Sequence, residues 1–354
     1  MKIAFFGSSL LSSHFNPPAA YLRGIIRALH DRGHSITFYE PDAFDRSQHR
    51  DLDEPDWARV VVYSAEGEDG VRSALDDARD ADVVVKASGI RIFDELLEAA
   101  IPCMKRPDCV CVFWDMDAPI TLDRIEKNPN DPFRAKISGY DLILTHNGGD
   151  AVRNAYAALG ARKTAAIHSA IDPKTHHHVS PEERFKADLG FHGDRLPGRE
   201  LRVDEFFFGA AREMPYSKFM LAGSGWGSRQ MPDNVKPVGE IYSWDVNAFN
   251  SSPLMILNVA WEAVAHYGFS PTARVFQAAA AGACIITERW DGLERFFEPG
   301  KEILTAQSGA DVAHHMREMN QARALAIGKA AYERVITDHT YARRAAEVET
   351  ALNL

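Results

Sequence analysis

Apolar positions recur along the chain in two alternating rhythms. Lys2 to Phe6 is a short apolar run that breaks at Gly7-Ser8-Ser9, the mark of a buried strand entering a tight loop. Leu22, Ile25, Ile26 and Leu29 then fall at i, i+3, i+4 and i+7, which predicts a helix with one apolar face. Pro17 and Pro18 suit its first turn, and Gly33 suits its end. Ser35 to Tyr39 reads as the next strand, so the chain opens with a βαβ unit and a parallel sheet is expected. Further strands are predicted at Val60–Tyr63, Val83–Lys86, Cys109–Phe113, Leu142–Thr145 and Thr164–Ile167. Together they describe one doubly wound α/β domain.

The rhythm is interrupted from Ile171 to Pro181 by Pro173, His176-His177-His178 and Ser180-Pro181, which reads as a linker. A second alternation follows: a loop at Gly190–Arg195, a helix from about Arg199, and strand Lys218–Ala222 running into Gly223-Ser224-Gly225-Trp226-Gly227. Then come strand Met255–Val259, a helix from Pro271 and strand Ala283–Thr287. Tyr341, Ala345, Val348 and Leu352 have helical spacing. The expected layout is two α/β domains, 1–178 and 179–338, with 339–354 as a final helix. A length of 354 residues suits two domains.

Composition narrows the function. The net charge of −10 argues against broad nucleic-acid binding, which depends on basic side chains. A small anion remains possible, because a few Arg residues and a helix N-terminus hold phosphate whatever the net charge. Cys103, Cys109, Cys111 and Cys284 form neither a disulfide framework nor a paired zinc pattern. Three adjacent histidines in a loop cannot all face one ion, so no metal is expected there. No apolar run reaches membrane-spanning length and no signal peptide is visible, so no integral membrane segment and a cytoplasmic location are expected.

Candidate chemistry gathers in three places. In Tyr267–Ala306, Ser270 is a candidate N-cap, Pro271 the first helical residue, and Gly282 the stop. Free N–H groups at 270–273, Thr272 among them, with Arg274 in the same turn would suit a diphosphate. The glycines at 223, 225 and 227 follow a strand, but Ser228–Pro232 is not a helix start, so nicotinamide and flavin binding are rejected. Trp226 either stacks on a nucleobase or belongs to the core. Asp115 and Asp117 fall just past a strand's C-terminal end, where either is a candidate general base, or Asp117 caps the turn before Pro119. His14, in the loop after the first strand, is a further base candidate or a surface histidine.

The segment Gly268–Gly300 resembles the nucleotide-sugar signature of GT-B glycosyltransferases with a Glu-x7-Glu motif: a Gly-Phe turn, a helix, Ala-Ala-Gly-Ala, a strand, then Gly-Leu and Glu-Pro-Gly. More narrowly, the chain resembles the CgeB-like (spore maturation protein) glycosyltransferases. Trp114–Pro119, Gly190–Pro197, Gly223–Gly227 and Asn247–Asn250 carry that likeness. The resemblance implies two Rossmann-like domains facing a cleft, an N-terminal acceptor side and a C-terminal donor side. It implies Gly190, Gly193 and Arg195 near the donor diphosphate and Gly225 in the same donor site, with the last helix returning to the first domain. The donor would be a UDP-, GDP- or TDP-linked sugar, with no metal and no further cofactor required, and the acceptor is unknown.

One position departs from the pattern. Gln277 stands where the motif carries its second Glu, and Phe269 lies eight residues earlier. In the resembled enzymes that Glu accepts hydrogen bonds from the donor's ribose hydroxyls. Gln keeps an acceptor oxygen but loses the charge. A non-catalytic nucleotide- or sugar-binding protein on the same scaffold is therefore the alternative to a transferase. A sugar-nucleotide epimerase needs more carboxylates than the sequence places. Inversion through an Asp base and retention, as the Glu-x7-Glu likeness implies, both stay open.

Overall fold

The computed structural model describes residues 1–14, 16–104, 106–146, 148–196, 198–259, 271–290 and 292–353. The chain divides into two compact units, Met1–His168 with Tyr341–Leu354, and Ser169–Thr340.

The first unit holds a seven-stranded sheet of β1 (Lys2–Phe6), β2 (Ser35–Asp42), β3 (Arg59–Ser64), β4 (Val83–Ala87), β5 (Val110–Asp115), β6 (Leu142–Thr145) and β7 (Thr164–Ala166). Their order is β3-β2-β1-β4-β5-β6-β7 and every pairing is parallel. Helices α1 (Ala19–Asp31), α2 (Asp69–Asp77), α3 (Asp94–Cys103), α4 (Ala118–Lys127) and α5 (Asp150–Ala158) connect them. β4 is buried along its whole length, as expected for a parallel strand covered on both faces. The strand order reverses at β1 and β4, and the crevice beyond their C-terminal ends is where open α/β sheets take ligands.

The second unit repeats the plan with β8 (Leu189–His192), β9 (Phe219–Ala222), β10 (Val235–Gly239), β11 (Met255–Asn258), β12 (Ile285–Glu288) and β13 (Leu304–Ala306). The order is β10-β9-β8-β11-β12-β13, again all parallel. Helix α6 (Glu200–Val203) runs through a π-helical turn at Asp204–Phe208 into α7 (Gly209–Glu213), and that turn buries Phe206, Phe207 and Phe208. α8 (Val246–Ser251), α9 (Ala273–Ala280), α10 (Gly309–Glu318) and α11 (Gln321–Asp338) complete the unit. The switch point here lies between β8 and β11.

The parallel α/β architecture agrees with the sequence reading, with three strands added. Gly190, read as loop, sits inside β8, because a Cβ there would come within 2.8 Å of Pro253 Cγ and 3.0 Å of Ile256 Cδ1. The glycine serves close packing inside a strand, not a turn. β10 carries Pro237 and exposed neighbours, which only an edge strand tolerates. β13 is only three residues long. The segment read as a linker is packed on the second unit. The Ile171 N–H donates to His339 O at 3.0 Å, and His178 Nδ1 lies 2.9 Å from Ala281 O.

The last helix, α12 (Tyr341–Leu352), lies in the first unit against α1. Gly24 makes room for it, since a Cβ there would meet the Tyr341 ring at 2.3 Å. Arg32 Nε and His34 Nε2 each lie 2.9 Å from Glu349 Oε1, and Arg344 Nε donates to His168 O at 3.1 Å.

Candidate functional site

In the first unit a depression of about 470 Å³ opens at the switch point, lined by Asn16, Ser88, Arg91, Asp117 and His146 among others. β5 delivers the central part. It ends at Asp115, and Met116-Asp117 leads into α4, whose first N–H groups are met by the main-chain oxygen of Asp117. Asp115 is 0% exposed. Its Oδ1 accepts from Ser88 Oγ at 2.7 Å, Thr121 Oγ1 at 3.0 Å and Asp117 N–H at 3.1 Å, and its Oδ2 accepts from Tyr156 OH. A carboxylate held by four donors inside the fold ties β4, β5, α4 and α5 together. Asp117, by contrast, is half-buried and lines the depression. Burial, and then the negative charge of Asp115, pushes its carboxyl up to about 6.

Burial holds His146 down at about 4, so its ring is neutral at pH 7 and lies beside Tyr21 at 4.2 Å between centroids. Below it, fully buried Lys86 Nζ reaches Asp94 Oδ1 at 2.6 Å and Glu98 Oε1 at 3.2 Å. On the rim, Gly89, Arg91 and Phe93 all have positive φ, so two non-glycine residues are strained there. His14 does not line the depression; its ring stacks on His49 at 4.1 Å.

In the second unit the switch point gathers two arginines and Asp194 around a glycine turn. Gly223, at φ +123°, lies so close to Gly193 that a Cβ would meet Gly193 O at 2.3 Å. Ser224 donates to the Asp194 carboxylate through N–H (2.8 Å) and Oγ (3.0 Å), and the Trp226 indole N–H donates to Gly193 O at 2.7 Å. Gly225, at φ +81°, lies where an added Cβ would come within 3.2 Å of Arg195 Cβ. The glycine-rich loop therefore braces the Gly193–Asp194 turn from beneath. Trp226 is 3% exposed and packs in the core with Phe208, which leaves no face for a base.

Arg195 pairs with Glu200 at 2.7 Å and donates to Ser228 Oγ at 3.0 Å. The cation that returns to the glycine turn is Arg199, whose Nη1 would lie 3.0 Å from a Cβ on Gly193. Its Nε is buried without a hydrogen-bond partner among the described residues. Arg274, in the first turn of α9, has no ion pair or hydrogen bond from its guanidinium among the described residues. Burial, then repulsion from Arg274, lowers Arg199 to about 10, and the same two causes lower His192 to about 4. Burial lowers Arg274, with the Asp194 charge opposing. Arg199 and Arg274 are near enough to repel each other, with the Asp194 charge opposing at both, and guanidiniums so placed suit an anion.

Ser270 lies outside the described residues. The N-cap position of α9 falls on Thr272, two residues later than expected, because Thr272 is still extended and the helix starts at Ala273. Thr272 Oγ1 donates to Asn258 Oδ1 at 3.0 Å, and Asn258 Nδ2 donates to Thr287 Oγ1 at 3.0 Å. Gln277 lies one turn after Arg274 and shares a small cavity of about 20 Å³ with Arg274, His192 and Asn258. Among the described residues no three His, Cys, Asp or Glu side chains gather as a metal site requires. No helix among them is long and apolar enough to cross a membrane.

The structure thus brings Gly193, Thr272, Arg274 and Gln277 to one end of the second sheet and Asp117 to the corresponding end of the first. Arg199, His192, His146 and the Lys86 cluster are additional. Arg199 is hidden in sequence because Arg195 stands nearer the glycine along the chain, whereas the side chain of Arg199, at the N-cap of α6, is the one that reaches back to Gly193.

Two parallel-sheet domains of this plan define the GT-B fold. Solved structures similar over the whole chain include Anabaena Alr3699/HepE in complex with UDP and glucose, at TM-score 0.68, 12% identity and coverage of 100% of this chain and 99% of that one. Sucrose-phosphate synthase from Thermosynechococcus elongatus gives 0.69, 12%, 100% and 98%. The lipopolysaccharide outer core galactosyltransferase WaaB, in apo form, gives 0.63, 14%, 100% and 99%. At such identities the likeness establishes the fold. Residues 199–350, which include Arg199, Arg274 and Gln277, match the family model described as glycosyl transferase-like. No curated protein matches the chain.

Proposed function

We propose that this protein is a glycosyltransferase that moves a sugar from a nucleotide-diphosphate sugar to a hydroxyl acceptor. The observation that carries the reading is the half-buried Arg199–Arg274 pair beside a glycine turn, inside the stretch that matches a glycosyl transferase-like family. Negative charge grows on the diphosphate as the glycosidic bond breaks, and two fixed guanidiniums stabilise it with no metal required. UDP and glucose bound to HepE support a uridine donor.

Asp117 is the base of this reading. Its carboxylate takes the acceptor hydroxyl's proton, the acceptor oxygen bonds to the anomeric carbon, and the carbon–diphosphate bond breaks with inversion. A carboxyl raised to about 6 is suited to this, being ionised at pH 7 yet more basic than an ordinary Asp. Hexosyl transfer, a place among the CgeB-like enzymes and a cytoplasmic location belong to the same proposal. The first unit would hold the acceptor and the second the donor.

The alternative of a non-catalytic nucleotide-sugar binder rests on Gln277 at the motif's Glu position. Incubating wild type and Arg274→Ala with UDP-, GDP- and TDP-linked sugars, and following release of the nucleoside diphosphate, separates the two. Slow hydrolysis by wild type that is lost in the variant supports a transferase. Binding without turnover in the presence of acceptor extracts supports the binder.

A further inference from the structure

We propose that His176 is a positioning residue of the donor site, one that turns the Gln277 side chain so that its carbonyl oxygen faces the donor's ribose hydroxyls. This rests on the donor-site reading above.

A chain of hydrogen bonds runs from Asp172 to Gln277 within the second unit. Thr175 Oγ1 donates its proton to Asp172 O at 3.2 Å. That hydroxyl can then only accept from His176 Nδ1, which lies 3.0 Å away. His176 therefore carries its proton on Nδ1 and presents a lone pair at Nε2. Gln277 Nε2 lies 3.3 Å from that lone pair and donates to it. The amide's nitrogen end is thereby fixed toward His176, and Oε1, which has no partner among the described residues, is left as an acceptor on the side chain that lines the cavity with Arg274, His192 and Asn258. A neutral amide that is free to rotate would offer the ribose either end; one held by His176 offers an acceptor, as a Glu would.

The segment carrying His176 is itself held. The His176 N–H donates to Asp172 O at 2.8 Å, and Asn247 Nδ2 donates to Thr175 O at 2.8 Å. The titratable groups facing the ring are Asp172 and His177, while α9 and α8 present Gln277 and Asn247, which do not titrate. Burial, partly opposed by Asp172, lowers the imidazole below its ordinary value, so it is neutral at pH 7.5. Protonation in acid would put a donor on Nε2 and reverse the amide.

The test is calorimetric titration of the full chain with UDP and with 2′,3′-dideoxy-UDP, or with the guanosine pair if GDP binds more tightly. The readout is the affinity ratio of the two nucleotides. Phosphate protonation changes both nucleotides alike and cancels in this ratio. At pH 7.5 the ratio in His176→Ala should fall by about three- to tenfold from wild type, the worth of one neutral hydrogen bond. His176→Gln, which restores an acceptor, should recover most of it. Equal ratios in wild type and His176→Ala overturn the proposal. Should His176→Ala not fold, His176→Phe, which fills the ring's space without offering an acceptor, takes its place in the comparison and should show the same fall. If no nucleoside diphosphate binds wild type at all, the donor-site reading itself fails and this one with it.

Discussion

The two units share a plan and differ in the charge left over at its functional end. Each is an open parallel sheet whose order reverses beside its first strand, β1 or β8. In the first unit the buried cation Lys86 is matched by Asp94 and Glu98, and Asp115 by four donors. At the surface of the depression Asp117, its carboxyl raised by its surroundings, stands with Arg91. In the second unit the carboxylates Asp204 and Glu200 are taken up by Arg229 and Arg195, and what remains is guanidinium, Arg199 and Arg274. In the proposed reading, one backbone geometry serves a proton acceptor on one sheet and an anion clamp on the other. The fold fixes where ligands go, and the unmatched side chain fixes which chemistry occurs there.

The largest effect that would sharpen this contrast is Asp117→Asn. Transfer should fall by about 10²–10⁴-fold in kcat, the usual worth of a general base. Wild-type activity should decline as pH drops through about 6, where Asp117 protonates, and the variant's residual rate should lack that step. The fold raises this carboxyl, so its ionised form works against folding above pH 6. Asp117→Asn should therefore keep or raise Tm at pH 7.5. Asp115→Asn should do the reverse, lowering stability by about 1–3 kcal/mol because buried donors lose acceptors. A variant pair with the two behaviours exchanged would break the comparison.

Next in size are Arg199→Ala and Arg274→Ala. Each should weaken donor binding by about 10- to 150-fold, the range for hydrogen bonds to a charged group. Arg195→Ala, whose guanidinium is already engaged by Glu200, should change donor affinity by less than about threefold. Gly223→Ala should cost about 1–3 kcal/mol in denaturant titration, because φ is +123° and the new Cβ meets Gly193 O. The smallest effect is at Glu349, whose carboxyl Arg32, first, and then His34 hold down at about 2. Its contribution is present above the ordinary carboxylate pKa and lost as pH falls toward 2. Glu349→Ala should lower stability by about 1 kcal/mol at pH 7 and by progressively less in acid, measured by urea unfolding.

Periodicity was a strong guide wherever a strand was buried on both faces, as in β1, β4, β5 and β6, because a continuous apolar run leaves few other readings. It was silent at β8, where Gly190 meets the packing demand of Pro253, and at β10, an edge strand with Pro237. The site was legible in part. Asp117, Gly193, Arg274 and Gln277 stand at positions that strand ends and helix starts identify, whereas Arg199 and His176 reach it only through a tight turn and a packed segment. Trp226 and Arg195 show the converse. They lie in the right stretch of chain, but hydrogen bonding turns one into the core and the other toward Glu200.

In the proposed donor site the second unit grips a diphosphate between Arg199 and Arg274. Calorimetric titration of UDP and UMP into wild type and into the Arg199→Ala/Arg274→Ala double variant tests it most directly. Wild type should prefer the diphosphate by about 10- to 100-fold, with that preference collapsing to about twofold or less in the double variant. A preference of equal size in both proteins, with both folded, would contradict the claim.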